Sequence, residues 1–152
     1  MYCQKISAVA LVLLSMLCSI SVHAQDLNTP VGLWKNIDDV SGKARALIRI
    51  TETNGVLSGK IERLFREPNE DQNPLCTKCE GANKDQPVLG MVILLGLKKD
   101  GAEYNGGTIL DPDNGSTYKS KLVVEDGGKK LKVRGYIGFS WIGRSQVWLR
   151  EQ

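Results

Sequence analysis

Turn signals built on glycine divide this chain, and they constrain its fold more than any other feature. Asn54-Gly55, Asp100-Gly101, Asn114-Gly115 and Asp126-Gly127-Gly128 each stand between segments whose side chains can alternate. Asn-Gly and Asp-Gly pairs accept the positive φ angles of tight hairpins, whose twist suits antiparallel strands. The flanking segments have a period of two. "KARALIRIT" puts Ala44, Ala46, Ile48 and Ile50 on one face and Arg45, Leu47 and Arg49 on the other. "VLSGKIERLF" aligns Leu57, Ile61 and Phe65. "TYKSKLVVE" aligns Tyr118, Leu122 and Val124 against Lys119 and Lys121, and "KKLKVRGYI" sets Leu131, Val133 and Ile137 against Lys132 and Arg134. Such strands have one dry face and one wet face.

Roughly eight strands with mostly sequential hairpin links predict an all-β domain: a single up-and-down antiparallel β-barrel with at most short helical segments. A β-sandwich is the competing architecture. Closure removes exposed strand edges, and about eight strands leave an interior that is either filled or holds one small ligand. Two stretches stay open. "QPVLGMVILLGLKKDG" is apolar from Val88 to Leu97 apart from its glycines, and reads equally as a buried strand or a short helix. The polar loop at 66–86 is long for a compact domain, which often marks a lid or binding loop.

Residues 1–24 are set apart from the fold. Lys5, an apolar run from Ile6 to Ile20, and "VHA" ahead of Gln25 have the layout of a secretory signal peptide, and the run is short for a membrane span. Leu17 before Cys18 does not suit a lipoprotein anchor. Cleavage leaves residues 25–152 as the barrel domain, with 19 basic and 17 acidic side chains and no transmembrane span. A net charge of +2 does not point to a nucleic-acid partner. The lone histidine, His23, departs with the leader. A chain without histidine cannot run Ser–His or Cys–His chemistry and lacks the commonest transition-metal ligand.

Of four cysteines, Cys76 and Cys79 remain, in "NPLCTKCEG". A zinc ribbon needs two further ligands, and a thioredoxin-like site needs a βαβ context. The preferred reading is a short disulfide pinning the long loop outside the cytoplasm. "DPDNG" at 111–115 imitates the start of a calcium loop, but Gly115 and Leu122 fall where the loop needs other residues, and a hairpin accounts for every position. The pairs Asp38-Asp39 and Glu70-Asp71 lie in hydrophilic sequence and read as solvated, while Ser140 and Ser145 have no histidine base. No catalytic residue, metal or cofactor is expected.

"PVGLW", with Gly32-Leu33-Trp34, resembles the Gly-x-Trp signature of lipocalin-type barrels. There the Trp closes the barrel base beneath a basic side chain from the last strand, for which Arg144 and Arg150 are the candidates. Read in order, "PVGLWKNIDDVSGKARALIRI", "QPVLGMVILLGLKKDG", "YNGGTILDPDNGSTYKSKL" and "LKVRGYIGFSWIGRSQVW" resemble a family of small exported bacterial proteins, the domain of unknown function numbered 2147. The resemblance covers nearly all of residues 30–150. It implies a lipocalin-like barrel and an exported location, periplasmic or secreted, and brings no established catalytic residues.

The connection within "RGYIGFSWIGRSQVW" is apolar where hairpin connections are normally polar. It reads as one rim of the barrel, where it caps the core, forms the mouth of a cavity, or touches a membrane or partner. The expected function is carriage or sensing of a small apolar or amphipathic molecule, lipid- or fatty-acid-like, in the cell envelope. Its expected lining is Trp34, Ile48, Ile50, Leu57, Ile61, Leu122, Val133 and Ile137, with Tyr104, Tyr118 and Tyr136 as polar anchors and Phe139 and Trp141 at the rim. The alternative is a module with a filled barrel that docks a protein or membrane through the 134–148 rim. A histidine-free envelope enzyme is a third reading, and would need carboxylates or a Lys–Ser cluster turned into a pocket.

Overall fold

The computed structural model describes residues 26–151, so the leader reading at 1–24 lies outside the described residues. Eight strands form a closed antiparallel barrel in sequence order. They are β1 (Gly32–Ile37), β2 (Ala44–Thr53), β3 (Val56–Leu64), β4 (Val92–Asp100), β5 (Glu103–Asp111), β6 (Ser116–Glu125), β7 (Lys130–Tyr136) and β8 (Gly143–Glu151). β1 pairs with β8 through Leu33–Glu151 to Asn36–Trp148, which closes the cylinder. The only helical pieces among the described residues are single 3-10 turns at Gly81–Asn83 and Asp126–Gly128.

The ambiguous apolar run becomes β4, and its geometry explains why periodicity could not classify it. Ile93, Leu94 and Leu97 are buried, while Val92 and Leu95 stand 45% and 59% exposed on the outside. Pairing with β3 slips between Leu57 and Ser58 and again between Gly59 and Lys60, so strict alternation is lost. Such bulges bend and twist a strand, and a small barrel needs that to close.

Strand direction sorts the connections into two ends. The tight turns at 54–55, 101–102 and 126–129 lie at the base together with the 26–31 segment. The connections 38–43, 65–91, 112–115 and 137–142 lie at the opposite rim.

The base is packed solid. Trp34, Ile50, Leu57, Leu97, Leu122 and Leu131 have no exposed surface. Trp34 Nε1 donates to the Pro30 carbonyl at 2.7 Å, and the Arg150 guanidinium lies over the indole, 4.2 Å from the ring centroid. Arg150 also donates to the carbonyls of Gly128, Val31, Leu27 and Thr29, so one side chain ties the N-terminal segment and the β6–β7 turn across the base. Gly32 makes room for it: its φ is +141°, and a Cβ there would lie 2.7 Å from an Arg150 Nη. Burial pulls the Arg150 guanidinium below its ordinary pKa.

The long rim loop is pinned by the Cys76–Cys79 disulfide, with Cα atoms 5.3 Å apart, and by a bridge between Leu75 and Pro87. It presses on the β5–β6 turn so closely that a Cβ on Gly115 (φ +75°) would collide with the Lys78 carbonyl. The "DPDNG" segment is therefore a hairpin that also seats the loop. Asp111 Oδ1 and Oδ2 accept from Asp113 N and Asn114 Nδ2, which holds the turn.

Candidate functional site

Above the packed base the barrel is hollow. A cavity of about 490 Å³ opens at the rim. Strand alternation points Ala46 and Ile48 of β2, Ile61 of β3, Ile93 of β4, Ile109 of β5, Val133 of β7 and Trp148 of β8 into it. Its lower wall is therefore apolar. Gly135 lies on the wall as well, where a longer side chain would project toward Ile109 and Tyr118.

Polar groups gather toward the mouth, and nearly all are already paired. Asn36 Nδ2 and Trp148 Nε1 both donate to Gln146 Oε1, at 2.9 and 3.2 Å. Asn114 Nδ2 donates to the Tyr118 hydroxyl at 3.1 Å. Arg45 pairs with Asp113 at 2.7 Å. Arg144 Nε donates to Asp39 Oδ2 at 2.8 Å, and a second bond joins the same two side chains. That guanidinium holds the Asp39 carboxyl below the usual carboxylate range. Asp38 is held low by the Ser41 backbone N–H, with help from the Ser41 hydroxyl and the Val40 N–H. Arg66 also lines the cavity, and among the described residues no carboxylate lies within ion-pair distance of it.

The structure divides the expected site residues into three groups. Ile48, Ile61, Tyr118, Val133, Tyr136 and Ile137 line the cavity. Trp34, Ile50, Leu57, Tyr104 and Leu122 are buried but do not reach it; they belong to the base and its plug. Phe139 and Trp141 lie in the rim connection as expected, but they do not line the cavity, which corrects their expected part in holding a ligand. They stand 61% and 72% exposed and stack on each other outside the barrel, with ring centroids 4.5 Å apart. The bend turns on itself through Ile137 N to Ile142 O and Ile142 N to Phe139 O, so only its two roots, Ile137 and Ile142, face the mouth.

Arg144 is a further correction: it does not accompany Trp34. Six residues along an extended strand separate it from Arg150 by roughly 20 Å, which puts it at the rim. Alternation alone found the apolar wall of β2, β3 and β7. It missed Ile93 because of the β4 bulges, and missed Leu64, Val88 and Arg66 because they sit at or beyond the end of β3 and in the long loop.

Residues 32–150 match a family described as "Uncharacterized protein conserved in bacteria (DUF2147)". The chain belongs to this family. No protein of curated function matches it in sequence. Among solved structures this DUF2147 barrel is similar to protein HP1028 from Helicobacter pylori, which is described as belonging to the lipocalin family. The TM-score is 0.66 and the identity 17%, over 80% of this chain and 82% of that one. At that identity the likeness shows the fold: the DUF2147 chain is a lipocalin-like barrel.

Proposed function

We propose that this protein is a non-enzymatic carrier or sensor in the bacterial cell envelope, and that it holds one small amphipathic molecule in its barrel. The observation that carries the reading is the open cavity of about 490 Å³, apolar below and polar at the mouth. That volume lies within the range of small-ligand sites, and the split lining suits a ligand with a tail and a head. The alternative of a filled barrel does not accommodate such a void.

Burial of the tail supplies the affinity, at about 25 cal/mol per Å² before the costs of association. The head group meets Arg66, the cavity cation that has no carboxylate partner among the described residues, and this favours a carboxylate-headed ligand of the fatty-acid kind. Titration with a medium-chain fatty acid should change the emission of Trp148, which is buried on the cavity wall. Arg66→Ala should weaken that acid about tenfold, in line with loss of a hydrogen bond to a charged group, and should leave its methyl ester unaffected. Equal loss for acid and ester would refute the head-group assignment. Failure of every amphiphile to bind would refute the carrier reading.

A further inference from the structure

Four of the six residues joining β7 to β8 are large and apolar, and all four stand in solvent: Ile137 is 67% exposed, Phe139 61%, Trp141 72% and Ile142 57%. Exposed apolar groups gathered at one spot mark an interaction surface. This bend is also held in shape. Besides its two internal backbone bonds, Arg134 Nε donates to the Ser140 carbonyl at 2.5 Å, and the Phe139 and Trp141 rings lie 5° from parallel. The rings are thus ordered by one another rather than by burial in the protein.

The wall under the bend is cationic. Strand register sets Lys119 opposite Tyr136, Lys121 opposite Arg134, and Val123 opposite Lys132. β8 continues these rows with Gly143, Ser145 and Val147. Three adjacent cross-strand rows therefore hold four cations and no carboxylate. Lys121 and Arg134 face each other directly, an arrangement that costs stability through like-charge repulsion. Lys121 finds a carboxylate sideways in Glu103, at 3.0 Å. Among the described residues, Lys119, Lys132 and Arg134 have no carboxylate within ion-pair distance. Trp141 lines one depression together with the cations Lys121, Lys132 and Arg134 and a single carboxylate, Glu125.

We propose that the 137–142 bend and the Lys119–Lys132–Arg134 wall form one docking surface for an anionic phospholipid bilayer. Phosphates relieve the repulsion along the wall, while Phe139 and Trp141 enter the boundary between head groups and acyl chains, where amphipathic aromatic rings settle. Either signal alone holds a protein weakly at a membrane; the two together hold it stably. Ile137 and Ile142 belong to the bend and to the cavity edge alike, so docking brings the mouth to the lipid surface. The inference does not depend on what the cavity holds.

The test uses the purified protein, with no ligand added, and two sets of vesicles: phosphatidylcholine alone, and phosphatidylcholine containing phosphatidylglycerol. Trp34 is buried in the base, and Trp148→Phe removes the tryptophan on the cavity wall, so a blue shift of tryptophan emission in that variant reports Trp141. The phosphatidylglycerol vesicles should produce that shift and carry the protein into the pellet, the neutral ones far less, and salt should release it. K119E/K132E should weaken the anionic partition about tenfold or more. Phe139→Ser with Trp141→Ser should abolish sedimentation while the urea unfolding midpoint is retained, which shows that the barrel is intact. No emission shift on anionic vesicles, or equal partition by K119E/K132E, would overturn the proposal. So would a concentration-dependent dimer that the Phe139→Ser, Trp141→Ser pair dissolves, since it would assign the patch to a second copy of the chain.

Discussion

Trp34→Ala is expected to cost about 3–5 kcal/mol of stability, a large share of the 5–15 kcal/mol typical of a whole domain. The indole is completely buried in the base, so its removal leaves a void that the closed strands around it cannot collapse to fill. Its loss also strips the Arg150 guanidinium of the aromatic face it lies on and the Pro30 carbonyl of its donor. Arg150→Met separates these contributions. It keeps an apolar stem over the ring but leaves the carbonyls of Leu27, Thr29, Val31 and Gly128 without that donor. It should cost less than the indole and act mainly by loosening the 26–31 segment. Equilibrium unfolding in urea reads all of this, with Trp141→Ala as the control: that exposed ring should move stability by about 0.5 kcal/mol or less. A Trp34→Ala effect as small as the control's would mean that the base is not a close-packed plug.

Ala46→Phe carries the largest expected effect on binding. Ala46 lies on the cavity wall between Asn36 of β1 and Leu64 of β3, and it is the smallest side chain on that part of the lining. A phenyl group there projects into the void rather than into packed neighbours, so the overpacking cost should stay at the low end of about 1–3 kcal/mol. It denies an apolar tail on the order of 100 Å² of burial, which is about 2.5 kcal/mol or roughly seventyfold in affinity. Binding should collapse while stability falls by only about 1 kcal/mol. If ligand affinity survives this substitution, the ligand is not inside the barrel.

The strands were legible because hairpin dipeptides and period-two patterns are local signals, and a barrel's wall is built from local hairpins. The Trp34 base was legible in outline only. Arg144 and Arg150 have the same parity on β8, so alternation cannot choose between them. The choice is made by the antiparallel pairing of β8 with β1, which sets Arg150 opposite Trp34. The rim was least legible, because its contacts join residues far apart in the chain: Asn36 with Gln146, Asp39 with Arg144, Arg45 with Asp113. No local pattern reports such convergence. Phe139 and Trp141 illustrate the same limit. Their apolar character was plain, but apolar character does not say whether the bend folds inward or outward, and both rings stand exposed.

Non-denaturing mass spectrometry of the purified protein, titrated with a medium-chain fatty acid, tests the central claim most directly. One molecule should bind per chain, or should displace an endogenous lipid of equal stoichiometry, and Ala46→Phe should remove both peaks. A spectrum showing only the bare chain at every concentration, with no endogenous adduct before titration, would contradict the account.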